Sequence, residues 1–264
     1  MSTTTIALPR LAAAPDPDHR PTLRRLVAVE LRKTVDTRAG RWLLGAFALA
    51  LALPATIGGV TTPNEVRDSA ELMMFSLMTA GLLLPVLTIL AVAGEWSQRT
   101  ALATFTLVPD RDRVLAGKVG SMLVLAGATA VGAWLMAIVG TGLRDATGGA
   151  GAAIDDPAGD LGRALLYAGM IGGLGLAFGL LVRRPAPAIV LYFGIPTVLS
   201  LITELVSSLD GLGRWVDPNQ SWGTLAEGTD LTGTAWARVA VTAVIWVAVP
   251  LIVGLWRVRR ADID

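Results

Sequence analysis

Cysteine is absent from this 264-residue chain, and histidine occurs only once, as His19 among prolines near the start. Without cysteine the chain has no disulfides, thiolate metal sites or cysteine nucleophiles. A lone histidine argues against imidazole catalysis and against histidine metal clusters. The sequence therefore predicts no metal site and no cofactor bound by this chain.

Charge is scarce as well: 16% of the residues are charged and 53% are hydrophobic, whereas a soluble domain has about 25% charged residues. The apolar residues fall in six long runs, each near the roughly 20 residues that a helix needs to cross the hydrocarbon core of a bilayer. The pattern predicts an all-α polytopic membrane protein with six transmembrane helices. The predicted spans are residues 42–60, 71–93, 119–142, 164–182, 187–207 and 239–256.

Ionisable side chains are nearly missing from these spans. Glu71, Glu204 and Arg238 occur there, each near a predicted outer end. Charged residues inside a membrane are costly and typically mark proton relays, ion pathways or catalytic sites. Their scarcity argues against a proton-coupled transporter, a cation channel and an intramembrane protease. A membrane enzyme acting on lipids is also disfavoured, because no acid–base pair or activated serine can be assembled from the spans.

The basic residues are divided unequally between the connecting segments. Seventeen of the 22 Lys and Arg residues lie before span 1, between spans 2 and 3, between spans 4 and 5, or after span 6. The positive-inside rule makes this set cytoplasmic. Trp42, Trp96 and Trp256 fall at the same predicted boundary, where amphipathic rings are favoured. We therefore expect a multi-pass protein of the cell (plasma or inner) membrane with both termini in the cytoplasm.

The chain divides into four predicted regions. Residues 1–21 are rich in Ala, Pro and Thr and predict a disordered tail. Residues 22–38 have apolar side chains on one helical face and charged ones opposite, which predicts an amphipathic helix along the cytoplasmic interface. A basic flank that only orients the first span is an equally good interpretation. The six-span domain covers 39–260, and 261–264 form a C-terminal tail.

The fourth span contains two pairs of glycines at the small-xxx-small spacing, Gly169 with Gly173 and Gly175 with Gly179. This spacing allows helix backbones to approach closely. Packing within one subunit is favoured over a subunit interface for each pair. We expect the fourth span to be enclosed by other helices.

The connection between spans 2 and 3, residues 94–118, is too polar to cross a membrane. Residues 100–108 alternate small, apolar and hydroxyl side chains and predict a short surface helix that ends before Pro109. Glu95 and Arg99, spaced i and i+4, would share a helix face. The spacing fits a docking site for a cytoplasmic partner and an ordinary solvated loop about equally well.

The same connection carries, in order, Gly94-Glu95-Trp96, Thr100, Thr104, Pro109, Arg111, Arg113 and Lys118. This arrangement resembles the first cytoplasmic loop of ABC-2 type permeases, the membrane subunits of the second export class of ATP-binding-cassette (ABC) transporters. The ELRK segment from Glu30 to Lys33, the six spans and the basic residues after span 6 fit the same resemblance. One departure is Trp96, where the family more often has tyrosine.

The resemblance implies an exporter subunit that pairs with itself or with a paralogous permease and binds two copies of an ABC ATPase subunit. Residues 95–108 would form a coupling helix inserted into the ATPase, with the 22–38 helix alongside. The residues implied for this coupling are Glu95, Arg99, Thr100, Thr104, Pro109, Arg111 and Arg113. Because Gly117-Lys118 is followed by Val119, the chain has no GxxxxGK[ST] phosphate loop. ATP–Mg would then be bound and hydrolysed by the partner, and the chain itself would not be an enzyme.

Other functions stay open beside the exporter, chiefly a non-transporting six-span scaffold or regulator. For an exporter, the uncharged spans would suit a hydrophobic or amphipathic substrate; no nucleic-acid partner is expected. The resemblance implies short re-entrant or interfacial helices in the outer segment 208–235. The glycine-rich connection 143–162 is predicted to be flexible.

Overall fold

The computed structural model describes residues 21–61, 69–98, 100, 106, 108, 110–148, 156–226 and 231–260. Of the described residues, 92% are helical and none lies in a strand. Six of the described helices are long and apolar enough to cross a membrane. The predicted all-helical architecture with six helices of spanning length is therefore confirmed. Both predicted tails lie outside the described residues, apart from Pro21.

The helices are named here in chain order. They are α1 (Leu23–Asp36), α2 (Arg38–Thr61), α3 (Ser69–Ser97), α4 (Arg111–Ala146), α5 (Pro157–Val182), α6 (Pro185–Leu205), a short 3-10 helix (Ser207–Leu209), α7 (Asp210–Val216), α8 (Pro218–Ala226) and α9 (Gly233–Arg259). The six of spanning length are α2 to α6 and α9. The short helices α7 and α8 lie between α6 and α9, within the segment 208–235 that is predicted to be an outer one.

Side-chain caps determine where several helices begin. Thr22, Asp110, Asp156 and Thr232 precede α1, α4, α5 and α9, and each accepts a hydrogen bond from the backbone N–H three residues later. Such a cap satisfies one of the N–H groups that have no partner within the first helical turn. For this reason α4, α5 and α9 start several residues before the apolar runs from which their spans were predicted.

The connection between α4 and α5 differs from its prediction. The sequence predicts a flexible segment over 143–162, but α4 continues to Ala146 and α5 begins at Pro157. The physical reason at the second boundary is the Asp156 cap followed by proline, whose fixed φ suits the first helical position. Residues 149–155 lie outside the described residues.

The centre of the bundle is α5, the most buried of the six long helices. It packs against α3, α4, α6 and α9. In contrast, α2, α6 and α9 expose valine, leucine and isoleucine side chains along much of their length. An apolar outer surface of this kind is suited to contact with lipid tails rather than with water.

One turn of α9 departs from regular α-helical geometry. Residues Val244–Ala248 form a π-helical turn, in which the N–H of Val249 donates to the carbonyl oxygen five residues earlier. Before this turn α9 contacts α8, where the Trp222 indole N–H donates to the Thr242 hydroxyl at 3.0 Å. After it α9 packs closely on α5 at Gly254. The π turn therefore separates two halves of α9 that have different neighbours.

Candidate functional site

Four charged side chains from three helices meet at the end of the bundle that carries α1, which we call the α1 end. Glu30 and Lys33 lie on α1, Glu95 lies near the end of α3, and Lys118 lies near the start of α4. We refer to these four side chains as the charge network. It joins the two helices that flank the connection between α3 and α4 to the first helix of the described chain.

The charge network alternates in sign, and each lysine contacts both carboxylates. Lys118 Nζ lies 2.8 Å from Glu30 Oε2 and 2.9 Å from Glu95 Oε2. Lys33 Nζ lies 2.7 Å from Glu30 Oε1 and 2.5 Å from Glu95 Oε1. All four carboxylate oxygens are thus paired, and the two positive charges balance the two negative ones.

Burial distinguishes the members of the charge network. Glu30, Glu95 and Lys118 are 6%, 9% and 5% exposed, whereas the side chain of Lys33 is 37% exposed. A buried charge is tolerated only when it is paired and hydrogen-bonded. Each of the three buried groups therefore depends on its partners, and Lys33 completes the cluster from the side that water reaches.

The pKa of Lys33 reflects two opposing effects. Burial favours the neutral amine and by itself would lower the pKa. The hydrogen bonds from Lys33 to Glu30 and Glu95, together with the negative charges of both carboxylates, outweigh burial and raise the pKa above its ordinary value of 10.5. Lys33 therefore stays charged throughout the physiological pH range.

Two glycines of α4 let α1 come close enough for these contacts. A Cβ added at Gly117 would lie 3.1 Å from Leu26 Cβ, and one added at Gly120 would lie 2.6 Å from Val27 Cγ2. Lys118 lies between these glycines, so its ammonium group reaches Glu30, one turn further along α1. The close approach of α1 and α4 is what turns three separate sequence segments into one cluster.

The predicted coupling residues are described only in part. Half of the predicted coupling helix over 95–108 lies outside the described residues, Arg99 and Thr104 among them, and so does Pro109. Glu95 has both carboxylate oxygens engaged within its own chain. The backbone N–H of Thr100 donates to the Glu95 carbonyl at 3.0 Å.

Arg111 and Arg113 lie in the first turn of α4. Arg111 donates to the carbonyl oxygens of Val258 and Arg259 at 3.3 and 2.9 Å, at the end of α9. These carbonyls lie in the last turn of α9, so the cation stabilises the helix end. The backbone N–H of Arg113 donates to the capping carboxylate of Asp110 at 3.3 Å.

A second set of contacts ties the α5 and α9 ends together, and sequence reasoning missed it. Arg183 donates to the carbonyl of Arg257 at 2.7 Å, and Arg257 donates to the carbonyl of Leu181 at 2.9 Å. The Arg183 guanidinium also lies 4.7 Å from the ring centroid of Trp96 on α3. Arg183 follows the last residue of α5 with a left-handed backbone (φ 57°) that directs the chain into α6.

The predicted packing glycines occupy different environments on α5. Gly175 and Gly179 lie directly against α3, and Gly173 lies against Val247 of α9, so that a Cβ at any of the three would crowd its neighbour. A Cβ at Gly169 would meet no atom within 4 Å. The three glycines thus mark close approaches between helices of this chain.

A cavity of about 530 Å³ lies towards the opposite end of the bundle, between α3, α5, α6 and α8. We call it the apolar cavity. Its walls include Met74, Met78, Tyr167, Tyr192 and Trp222. Neither tyrosine hydroxyl has a hydrogen-bond partner among the described residues. A methionine- and aromatic-lined space with a few polar groups is typical of sites for small, largely apolar molecules.

Helix α8 covers this cavity and is held by side-chain hydrogen bonds to its neighbours. The Trp222 indole N–H is bonded to Thr242 of α9, and the Asn219 amide donates to the Ser200 hydroxyl of α6 at 3.0 Å. Both residues also line the cavity. A shift of α8 would therefore change the cavity and the contacts to α6 and α9 together.

These observations define a helical bundle with six helices of membrane-spanning length, a buried charge network at one end and an apolar cavity towards the other. Within the described part of the chain, no group of three His, Asp or Glu side chains is placed to hold a metal ion. A scan of protein-family models and a search of characterised proteins each found no match to this chain.

Proposed function

We propose that this chain is the membrane-spanning subunit of an ATP-driven exporter of the ABC-2 type, located in the cell membrane with both termini in the cytoplasm. It pairs with itself or with a paralogous permease. Two separate ATPase subunits dock on the pair, one on the segment 95–108 of each member, and ATP–Mg is bound by those subunits. The exported substrate is hydrophobic or amphipathic.

The charge network is the observation that carries this proposal. Glu95 immediately precedes the connection between α3 and α4, and Lys118 follows it, so both flanks of the connection are fixed to α1. Buried charges must keep their partners. A movement of the connection would therefore move α1, α3 and α4 together as one unit. Such a unit suits a subunit that converts closure of an ATPase dimer into alternating access.

Within this proposal the predicted coupling residues take different roles. Glu95 anchors the connection to α1 and α4 instead of contacting the ATPase, because both its carboxylate oxygens are engaged within the chain. Arg111 fixes the start of α4 to the end of α9. Arg99 and Thr104 remain the residues proposed to contact the ATPase.

The apolar cavity supports the substrate class. Its methionine and aromatic walls would bury the apolar part of a molecule, and the Tyr167 and Tyr192 hydroxyls would bond to a polar group. A Tyr192→Phe variant should transport an amphipathic substrate less well than a purely apolar one. Equal effects on both substrates would show that the Tyr192 hydroxyl does not bind the substrate.

Co-purification from the native membrane tests the docking step. The tagged chain should retain an ATPase subunit with a phosphate loop. Replacing residues 100–108 by a glycine–serine linker of equal length should release that subunit. The matched control replaces residues 149–155, in the connection at the opposite end of the bundle, and should retain it.

Each outcome separates the exporter from the scaffold. Retention of the ATPase by wild type and control, with loss in the 100–108 variant, supports the exporter. A folded, monodisperse preparation that never contains an ATPase overturns the proposal and favours the non-transporting scaffold. If all three proteins retain the ATPase, residues 100–108 are not part of the docking site, which then lies elsewhere on the chain.

A further inference from the structure

The corner between α1 and α2 presents an unusual set of side chains. Helix α1 ends at Asp36, and Thr37 has an extended backbone, with φ −94° and ψ 148°. The Thr37 hydroxyl accepts the N–H of Gly40 at 2.9 Å, so α2 begins directly after the corner. Arg38 is the first residue of α2 and lies where that spanning helix leaves the α1 end.

Arg38, Arg41 and Trp42 share one face of α2, because they are spaced i, i+3 and i+4. Together they line an open cavity of about 370 Å³. Trp42 is 81% exposed, more than any other large hydrophobic residue that the structure describes. An indole ring this exposed at the start of a spanning helix is suited to the headgroup region of a bilayer.

Among the described residues, Arg38 and Arg41 lack the internal partners that several other arginines at the α1 end have. Arg111 and Arg183 donate to backbone carbonyls, and Arg259 pairs with Asp112. In the part of the chain that the structure describes, no carboxylate pairs with Arg38 or Arg41. The nearby Asp36 is 3.7 Å from Arg32 and pairs with it instead.

Two guanidinium groups on one helix face, with no internal counter-charge, are complementary to a phosphate group. Guanidinium binds phosphate through paired N–H donors, and this geometry makes arginine common in phosphate sites. A phosphate ion free in water would bind the arginines but would offer no contact to the exposed indole ring of Trp42. A phospholipid supplies the phosphate for the arginines and a glycerol–acyl boundary for the ring.

We infer that the Arg38–Arg41–Trp42 corner binds the headgroup of an anionic phospholipid in the leaflet that faces the α1 end. The phosphate lies between the two guanidinium groups, and Trp42 lies beside the lipid's glycerol region. The corner then fixes the depth of α2 in the membrane. This inference depends on α2 as a spanning helix and not on the identity of any transported substrate.

Native mass spectrometry of the detergent-solubilised full chain tests the site. The protein is titrated with phosphatidylglycerol or phosphatidylcholine of identical acyl chains, and bound lipids are counted. Replacing Arg38 and Arg41 by Gln should weaken phosphatidylglycerol binding by roughly thirtyfold, at about fivefold per arginine near a membrane surface. The matched control replaces Arg24 and Arg25, two exposed arginines of α1, by Gln and should change binding by less than about threefold.

Four results would overturn the inference. The first is that wild-type protein binds phosphatidylglycerol and phosphatidylcholine equally well. The second is that both double variants lose the same affinity for phosphatidylglycerol. The third is that millimolar inorganic phosphate displaces the lipid completely. The last result would assign the site to a soluble anion. If the Arg38 and Arg41 double variant fails to fold, the wild-type preference for phosphatidylglycerol is measured in about 0.5 M salt. It should fall there because the contact is electrostatic and exposed, and an unchanged preference is the fourth result against the site.

Discussion

Lys118 and Lys33 contact the same two carboxylates, but only Lys118 is buried, so the two lysines offer a controlled comparison. Lys118→Met keeps much of the side-chain volume and removes the charge. It leaves one oxygen of Glu30 and one of Glu95 buried without a partner. Lys33→Met removes the equivalent contacts of a lysine whose own side chain is 37% exposed, so that less of its charge was desolvated on folding.

The expected magnitudes follow from this difference in burial. Removing one partner of a buried ion pair costs about 3–5 kcal/mol. Because Lys33 still neutralises part of the charge, we expect about 3 kcal/mol for Lys118→Met, which corresponds to a fall in Tm of roughly 6–12 °C. For Lys33→Met we expect a smaller loss, about 1 kcal/mol, since an ion pair with one partly exposed partner contributes less than a fully buried one.

Thermal unfolding in detergent, followed by tryptophan fluorescence, measures both changes on monodisperse protein. A third variant adds Glu30→Gln to Lys118→Met. It should recover part of the lost stability, because the added change neutralises one of the two orphaned carboxylates. A loss for Lys33→Met equal to or larger than that for Lys118→Met would refute the reasoning. A loss of stability below about 1 kcal/mol for Lys118→Met would also refute it, because removing one partner from a buried ion pair is expected to cost more than that.

The same unfolding assay checks three further predictions. Gly175→Ala should lower the Tm by several degrees because its Cβ would overlap atoms of α3, whereas Gly169→Ala, with open space around it, should leave the Tm nearly unchanged; equal effects would contradict the assigned packing. Trp222→Phe should cost about 1 kcal/mol by removing the hydrogen bond to Thr242, and a neutral result would show that the bond contributes nothing. Because the pKa of Lys33 is raised, its contribution is present below 10.5 and is lost as the pH rises through the folded-state pKa. Wild type and Lys33→Met should therefore differ in Tm at neutral pH and converge in strong alkali; a constant difference would contradict that assignment.

The number and kind of long helices could be predicted from sequence because hydropathy averaged over a whole span dominates the signal. Their ends could not, since they depend on single capping groups. Asp110 and Asp156 start α4 and α5 in polar sequence well before the apolar runs begin. Hydropathy does not register a cap, although the Asp156–Pro157 pair is a readable signal for one.

The charge network shows a different limit of sequence reasoning. The resemblance drew attention to the ELRK segment, to Glu95 and to Lys118, but only as separate motifs. Their meeting depends on the close approach of α1 to α4 over Gly117 and Gly120, which is a tertiary contact. Two acidic and two basic residues, all just outside apolar runs and at the same predicted boundary, were the available signal. The apolar cavity left no such signal, because its walls come from four helices.

The π turn in α9 makes chain length, as well as side-chain identity, a structural requirement. A π turn accommodates one residue more than a regular α-helix would, and each residue rotates a helix by about 100°. Adding one residue to Val244–Ala248, which already holds the extra one, would turn one half of α9 away from its neighbour, separating Thr242 from Trp222 or Gly254 from α5. Substitutions within the turn would leave the residue count unchanged and would hide this requirement. The spacing between the two contact faces is encoded by the number of residues between them.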